Sequence, residues 1–133
     1  MKKLSLKEND NKLLTETELE LMTLLWKLGE GTVSDVLQQL PKERELAYTS
    51  VSTILRILEQ KGILKTRKEG RGHVYTPQIK KSDYEIKTVK HVVERVFDGT
   101  PMALVRQLLD TTQLNEDDIK ELKKLISKAG VRK

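Results

Sequence analysis

The sequence contains no cysteine, and its two histidines, His73 and His91, lie far apart. Without cysteine the chain forms neither a disulfide nor a thiolate metal site. Two scattered histidines have no spacing that is typical of a metal centre. The sequence therefore predicts no metal site.

Aromatic residues and long apolar runs are also scarce. Aromatics make up 4% and charged residues 34% of the chain, which favours a helical, soluble protein. No apolar run approaches the roughly 20 residues of a membrane span, and the N-terminus lacks the apolar centre of a signal peptide. We therefore expect a cytoplasmic protein with no membrane partner. Its 133 residues suffice for one domain of moderate core or two small lobes.

Patterns that enzymes need are missing as well. Ser50 and Ser52 have no evident His/Asp relay, and no glycine-rich phosphate loop follows a strand. Most acidic residues fall in helix caps or on polar helix faces. The sequence predicts neither an enzyme nor a bound cofactor.

The net charge of +5 is unevenly distributed along the chain. Residues 14–40 contain one basic and five acidic residues, whereas residues 41–79 contain eight basic and four acidic residues. Positive charge collected in one segment is typical of a protein that binds a polyanion. Ordinary charge scatter is the alternative interpretation.

Residues 46–62 predict one helix with two different faces. The apolar side chains follow the i, i+3, i+4, i+7 spacing of a single stripe: Val51, Ile54, Leu55 and Leu58. Gly62 supplies the left-handed residue that ends a helix. The other face carries short hydroxyls and one guanidinium, which suit close approach to the major groove of DNA. The predicted DNA-reading residues are Thr49, Ser50, Ser52, Thr53 and Arg56.

Two shorter helices precede this stretch. Capping boxes start them at Thr15 and Thr32. We expect the first to end at Gly29 and the second at Leu40, before Pro41. A second and third helix on either side of a short polar turn form the outline of a helix-turn-helix.

A basic hairpin is predicted after Gly62. Residues 63–68 and 73–76 are expected to be strands, and the loop 69–72 contains two glycines that allow positive φ. Three helices followed by such a hairpin is the element order of a winged helix. The hairpin cations are predicted to contact phosphate, which positions a domain without reading sequence. They are Lys65, Arg67, Lys68 and Arg71.

From residue 80 the sequence predicts three short amphipathic helices. They are expected to begin at Ser82, at Thr100-Pro101 and at Asn115. Such helices make a thin core, so we expect their apolar faces to meet a second copy of the chain; an internal three-helix core is the alternative. The predicted dimer contacts are Ile86, Val89, Val93, Phe97, Leu104, Leu108, Ile119, Leu122, Leu125 and Ile126.

The predicted fold is therefore mainly α: a winged helix-turn-helix with a small β-hairpin wing, followed by a helical dimerisation lobe. We expect a flexible N-terminal arm over residues 1–13, a winged-helix DNA-binding domain over 14–79 and a helical dimerisation region over 80–133.

Five short motifs occur in order along the chain: Leu14-Thr15-Glu16-Thr17-Glu18-Leu19; Met22 with Leu25-Trp26; Val51 with Thr53, Leu58 and Lys61-Gly62; Lys68-Glu69-Gly70-Arg71 with Val74-Tyr75; and Phe97-Asp98-Gly99 with Leu104-Val105. In this order they resemble the penicillinase-repressor family of bacterial winged-helix regulators. The resemblance implies an operator with dyad symmetry and dimerisation through the C-terminal helices. It also implies a recognition face formed by Thr49, Ser50, Thr53 and Arg56.

Two branches of that family differ in how repression is relieved. In the β-lactam branch a membrane sensor system leads to cleavage of an Asn-Phe bond inside the dimerisation lobe. Gln107-Leu108 stands at the matching position here, which leaves open both cleavage at this bond and disruption of the lobe by another route. The copper branch carries a cysteine-rich C-terminal hook, which a chain without cysteine lacks.

We expect a homodimeric transcriptional repressor. Its expected partners are a double-stranded DNA operator, a second copy of itself and, where cleavage applies, a sensor or protease system. The alternative is a winged-helix module that assembles with other proteins and does not read DNA. A protein-binding helix would present large apolar or aromatic anchors, so the hydroxyl face favours DNA.

Overall fold

A computed structural model describes residues 13–129, so nearly all of the arm predicted over residues 1–13 lies outside the described residues. Within this range the chain forms six helices and one two-stranded antiparallel sheet. It groups into two compact units that divide after Lys90; the domain boundary at residue 79 stays a prediction. The elements are α1 (Glu16–Leu28), α2 (Val33–Gln39), α3 (Tyr48–Gln60), β1 (Leu64–Glu69), β2 (Gly72–Pro77), α4 (Lys81–Arg95), α5 (Pro101–Thr111) and α6 (Glu116–Ala129).

Both predicted capping boxes are confirmed. Thr15 Oγ1 accepts a hydrogen bond from the Glu18 N–H at 3.1 Å, and Glu18 Oε1 accepts one from the Thr15 N–H at 2.9 Å. The corresponding distances for Thr32 and Asp35 are 3.0 and 2.9 Å. Each box satisfies two backbone donors that the start of a helix would otherwise leave without a partner.

The core of the first unit lies between the three helices and the hairpin. The predicted stripe of α3 is confirmed: Val51, Leu55 and Leu58 are fully buried, and Ile54 is partly buried against them. Burying one such side chain contributes roughly 1.5–3 kcal/mol. The other fully buried side chains are Leu21, Met22, Leu25, Val36 and Leu64.

The end of α3 is hydrogen-bonded directly into the hairpin. Gly62 has a φ of 83°, and its N–H donates to the Glu59 carbonyl at 2.9 Å. The Ile63 N–H donates to the Leu58 carbonyl at 3.0 Å, which completes a Schellman motif. The Ile63 carbonyl in turn accepts from the Gln78 N–H at 2.8 Å. The predicted stop at Gly62 is confirmed.

The hairpin loop is shorter than predicted. The strands pair from Leu64 with Pro77 to Glu69 with Gly72, so the turn consists of Gly70 and Arg71 alone. Gly70 has a φ of 62°, whereas Gly72 already belongs to β2.

Gly31, between α1 and α2, extends the backbone pairing of the hairpin. Its N–H donates to the Tyr75 carbonyl at 3.0 Å, and the Tyr75 N–H donates to the Gly31 carbonyl at 2.8 Å. A Cβ atom at position 31 would lie 3.2 Å from Asp35 Cβ and 3.4 Å from Leu28 Cδ1, so a larger residue there would require these side chains to shift slightly. The bridge fastens β2 to the segment that follows α1.

Within the first unit, an aromatic contact holds the start of α4 against α1. The rings of Trp26 and Tyr84 lie 5.9 Å apart. Trp26 Nε1 donates to the Ile79 carbonyl at 3.0 Å, and Tyr84 Oη accepts from the Leu14 N–H at 3.0 Å. Both aromatic side chains thus combine apolar burial with a satisfied polar group.

Two predicted boundaries are wrong by a few residues. α3 begins at Tyr48 because the backbone of Ala47 is still extended, with ψ at 151°. α4 begins at Lys81, which places Ser82 inside the helix and not at its cap. α4 ends at Arg95, and the chain then turns through Asp98 and Gly99, which have φ values of 53° and 78°.

The other predicted helix starts agree with the structure. Pro101 lies in the first turn of α5 after the extended residue Thr100. Asn115 Oδ1 accepts from the Asp118 N–H at 2.8 Å, and Asp118 Oδ2 accepts from the Asn115 N–H at 3.2 Å, which confirms the cap of α6. In the described part of the chain, none of the helices has the length and apolar character needed to cross a bilayer.

Candidate nucleic-acid interface

The predicted reading face of α3 points away from the core. Because Val51, Leu55 and Leu58 are buried on one side of the helix, residues about half a turn away are directed outward. Most of the predicted side chains are exposed, and Ser52 is half-buried at the margin of the face. The exposed ones are Thr49, Ser50, Thr53 and Arg56.

α3 also exposes residues that the sequence interpretation missed: Ile57 lies beside Thr53, whereas Tyr48 lies at the start of the helix, on the side opposite Ile57. The side chain of Ile57 is 38% exposed and that of Tyr48 is 56% exposed. Gln60 is exposed as well, four residues after Arg56. The available signal was the position of Ile57, an apolar residue four positions after Thr53 and off the buried stripe. The surface that α3 offers therefore combines hydroxyls and one guanidinium with two large side chains.

The beginning of α3 is the positive end of a helix without a side-chain cap. Its N-cap is Ala47, which has no side-chain oxygen to accept from the first-turn amides. No acidic residue lies in that turn. Amides of this kind, together with the helix dipole, favour an anionic group near Tyr48 and Thr49.

The cations of the hairpin do not share one face. Residues directly opposite each other in an antiparallel pair lie on the same side of the sheet. Lys65 and Arg67 pair with Thr76 and Val74 on one side, whereas Lys68 pairs with a residue on the other, His73. The hairpin therefore presents cations from both sides, and Arg71 presents one from the turn.

Arg67 differs from the other three cations because it is bound within the protein. Its Nη1 lies 2.8 Å from Glu30 Oε1, and its Nη2 lies 3.0 Å from Glu30 Oε2 and 3.3 Å from Glu69 Oε2. The hydrogen bonds from Arg67 hold the pKa of Glu30 below its usual value, and Glu30 raises the pKa of Arg67. By contrast, Lys65, Lys68 and Arg71 make no ion pair within 4.0 Å to any of residues 13–129.

No arrangement suited to a metal ion occurs among the described side chains. Residues 13–129 contain no group of three or more histidine or acidic side chains that could hold one. The exposed chemistry of this surface is therefore that of hydroxyls, cations and a few apolar groups.

The apolar faces of the second unit are only partly covered by residues 13–129. Neither α5 nor α6 contains a buried residue. Of the ten predicted dimer contacts, four are half-buried, namely Val93, Phe97, Leu104 and Leu122. The other six are exposed: Ile86, Val89, Leu108, Ile119, Leu125 and Ile126. Exposed apolar side chains of this unit outside the predicted set are Val96, Met102, Leu109 and Leu114.

Gln107 and Leu108, the residues matching the cleaved bond, lie within α5. Both are exposed, and the Gln107 carbonyl accepts a hydrogen bond of 2.6 Å from Thr111 Oγ1. The bond between them is therefore accessible but helical.

Comparison with known proteins gives consistent relationships over almost the whole described chain. A sequence model of the penicillinase repressor family matches residues 14–128. The penicillinase repressor of Bacillus licheniformis is 34% identical over 121 residues, which cover 90% of this chain and 94% of that protein. The methicillin resistance regulatory protein MecI of Mammaliicoccus sciuri is 24% identical over 121 residues, covering 90% of this chain and 98% of that protein.

Solved structures also resemble part of the chain. The solution structure of the DNA-binding domain of the repressor BlaI is 38% identical and covers 53% of this chain and 87% of that one, with a TM-score of 0.48. The predicted resemblance is confirmed by the family match and the curated relatives. The chain belongs to the penicillinase repressor family.

Proposed function

We propose that this protein is a homodimeric transcriptional repressor that binds an operator with dyad symmetry. The observation that carries the proposal is the outward face of α3, where Thr49, Thr53 and Arg56 project opposite the buried apolar stripe. Short hydroxyls and a guanidinium on a rigid helix suit the donor and acceptor pattern of the major groove. Membership of the penicillinase repressor family supports this function.

The two elements of the interface have different roles in this proposal. The face of α3 reads base edges, whereas Lys65, Lys68 and Arg71 contact phosphates and hold the domain in register. Since these three cations have no ion-pair partner among residues 13–129, no internal pair has to break for them to bind phosphate. Because the operator lies on bacterial DNA, we place the action of the protein in the cytoplasm.

Dimerisation is proposed to proceed through the second unit. α6 carries Ile119, Leu122 and Ile126 along one stripe, with two of these side chains exposed in a single chain. Burying such a stripe against a second copy removes it from water, at roughly 25 cal/mol per Å² of apolar surface. Two reading units held together bind neighbouring half-sites with the high effective concentration of a tethered pair.

Relief of repression is proposed to act on α5. Cutting the Gln107–Leu108 bond, or unfolding the helix that contains it, would divide the apolar surface that the dimer needs. Since this bond lies inside a helix, the helix has to open locally before a protease can bind the backbone in extended form.

Selection of duplexes from a random pool, followed by salt-titrated binding, tests the proposal. Arg56→Ala and Thr53→Ala should relax base preference, with a good base contact worth roughly 1–3 kcal/mol. Lys68→Ala should weaken binding to all DNA sequences alike and lower the log-log salt slope by about 0.9 per lost phosphate contact. Lys120→Ala on α6 is the control for loss of one cation elsewhere. Failure to enrich any sequence, or equal behaviour of all four variants, would refute sequence-specific binding.

A protein-interaction module is the second candidate, favoured by one observation. Tyr48 and Ile57 are large exposed side chains on α3, and such groups serve as anchors in protein interfaces. If a protein binds α3 through these side chains, the double variant Tyr48→Ala with Ile57→Ala should leave DNA binding unchanged. Under the repressor proposal the same variant should change DNA affinity or base preference.

A further inference from the structure

Glu30 is the centre of a small polar network at the base of the wing. Its carboxylate accepts two hydrogen bonds from Arg67, at 2.8 and 3.0 Å, and one from Thr76 Oγ1 at 3.3 Å. It therefore binds β1 and β2 at once. Glu69, with one oxygen 3.3 Å from Arg67 Nη2, supplies a second carboxylate to the same guanidinium.

The backbone next to Glu30 is attached to the wing as well. Gly31 exchanges two hydrogen bonds with Tyr75, at 3.0 and 2.8 Å. Tyr75 and Thr76 are consecutive residues of β2, so the side chain of Glu30 and the backbone of Gly31 bind neighbouring points of one strand. The segment after α1 thus touches the wing through both backbone and side chains.

The bidentate ion pair of Arg67 distinguishes it from a cation that is available to bind phosphate. A bidentate pair fixes the direction of the guanidinium plane, which a single contact does not. Two carboxylates already neutralise its charge, whereas Lys68, the next residue, has no ion-pair partner among residues 13–129. Moving Arg67 to a phosphate would break both pairs and leave Glu30 and Glu69 as negative charges beside the DNA.

We propose that Arg67 is a positioning residue: its bidentate pair with Glu30 sets the angle of the wing on the helical body so that Lys65, Lys68 and Arg71 reach the DNA backbone. This inference rests on the proposed DNA binding, and it removes Arg67 from the phosphate contacts predicted from sequence. The pair is about half exposed, at 47% for Arg67 and 46% for Glu30. A pair of that exposure adds little to folding stability, so its role lies in orientation.

The first test measures the salt dependence of binding to a 30-base-pair duplex of mixed sequence, with the full chain. Lys68→Gln should lower the log-log salt slope by about 0.9 per lost contact. Arg67→Gln removes a cation from the neighbouring position, but the loosened wing still carries Lys65, Lys68 and Arg71 close enough to bind phosphate at a less favourable angle. The slope should therefore change by less than half as much, and the loss of orientation should appear in the affinity. Its affinity should fall by up to about fivefold at every salt concentration, in keeping with an exposed pair.

The second test exchanges the two charges. The double variant Glu30→Arg with Arg67→Glu keeps both the net charge and the ion pair, whereas Arg67→Glu alone breaks the pair. The exchanged protein should recover the wild-type slope and bind within about threefold of wild type, the range of an exposed pair. If the exchanged protein binds as poorly as Arg67→Glu, and Arg67→Gln lowers the slope as much as Lys68→Gln, then Arg67 contacts phosphate and the proposal is overturned.

The third test requires no DNA, so it separates this inference from the proposed function. Amide hydrogen exchange at Gly31 and Tyr75 should become faster in Arg67→Gln and return to the wild-type rate in the charge-exchanged variant. Unchanged exchange in Arg67→Gln would overturn the positioning role. Absence of DNA binding by the wild-type chain would instead refute the proposed repressor function and leave the exchange result to decide whether the pair fixes the wing.

Discussion

Lys61 Nζ donates a hydrogen bond of 2.8 Å to Glu18 Oε2 and thereby joins the end of α3 to the first turn of α1. Glu18 uses its other oxygen to cap the Thr15 N–H at 2.9 Å. One carboxylate thus closes a capping box and contacts a second helix. Its side chain is only 9% exposed, so the charged form depends on these partners.

The free energy of unfolding should depend on pH through the carboxylate of Glu18. Burial raises the pKa of Glu18, but the hydrogen bonds and charge of Lys61 and the bonds from Thr15 outweigh it, and the net pKa lies below the usual 4.5. The unfolded chain binds the Glu18 proton more tightly than the folded chain does. The ionised carboxylate therefore contributes its full stabilisation well above pH 4.5, and this stabilisation is lost as pH falls through the folded pKa. Glu18→Gln should cost about 1–2 kcal/mol at pH 7, and less at pH 3.

Urea unfolding at a series of pH values, followed by the fluorescence of Trp26, measures this effect. Glu16→Gln is the matched control, because it removes an exposed carboxylate from the same helical turn. If both variants lose stability equally at pH 7, or if the cost of Glu18→Gln does not decline with acid, Glu18 is not the linked group.

Ile57 is expected to read the methyl group of a thymine. It is the exposed apolar side chain beside Thr53 on α3, and apolar contact with the thymine methyl is a recognised form of base readout. Replacing thymine by uracil at the contacted position should weaken wild-type binding about fourfold, the value of one buried methyl group. Ile57→Ala should bind the two duplexes equally.

The measurement uses duplexes selected by the protein, with each thymine replaced by uracil in turn. Gln60→Ala should retain the sensitivity to uracil, since it leaves Ile57 in place. Persistence of the effect in Ile57→Ala, or no sensitive thymine for the wild type, would assign Ile57 another role.

Dimerisation should be sensitive to charge on the apolar stripe of α6. Ile126→Asp would bury an unpaired carboxylate in the proposed dimer contact, at a cost of several kcal/mol. Ser127→Asp makes the same charge change on an adjacent exposed position. Sedimentation equilibrium at micromolar concentration should find monomers for the first variant and dimers for the second. A monomeric wild type would contradict the use of this unit as the dimer contact.

A fragment of residues 1–90 should be more stable than one of residues 1–79. The shorter fragment lacks Tyr84, so Trp26 loses its ring partner and the Leu14 N–H loses its acceptor. Losing a buried aromatic side chain and one hydrogen bond should cost about 3 kcal/mol or more. Trp26 fluorescence during urea unfolding compares the two fragments, and equal midpoints would show that Tyr84 contributes nothing.

The longer fragment also tests the need for the second unit. Residues 1–90 should fold yet bind a selected palindrome far more weakly than the intact chain, because the two reading units are no longer joined. Equal affinity of fragment and intact chain would mean that dimerisation does not control binding.

Features that depend on neighbouring residues could be predicted from the sequence. The capping pairs Thr15 with Glu18 and Thr32 with Asp35 act over three residues, and the apolar spacing on α3 acts over seven, so local pattern is sufficient for both. Ser82 shows the limit of this reasoning. A serine followed by an acidic residue three positions on is also compatible with the interior of a helix, and α4 begins one residue earlier.

Contacts between distant parts of the chain could not be predicted in this way. Nothing near Arg67 indicates that Glu30, 37 residues earlier, pairs with it. The sequence shows a run of cations on the wing, and only the fold separates the paired Arg67 from Lys65, Lys68 and Arg71, which make no ion pair with residues 13–129. Tyr84 and Trp26 similarly come into contact only through the fold. The Ile79 carbonyl accepts a hydrogen bond from Trp26 Nε1, so the segment before α4 lies next to α1.

The Schellman turn at Gly62 has a consequence for how this surface can change over evolutionary time. Between the end of α3 and the first residue of β1 there are three residues, and the carbonyl and amide groups of Ile63 are both engaged. An inserted or deleted residue there would rotate the reading helix relative to the wing and reverse the side alternation of β1. In the exposed connector 42–45, Arg44 pairs with Glu20 and its backbone N–H donates to the Pro41 carbonyl, but neither contact sets the angle between α3 and the wing. Length variation should therefore accumulate there, while new operator preferences arise by substitution on α3.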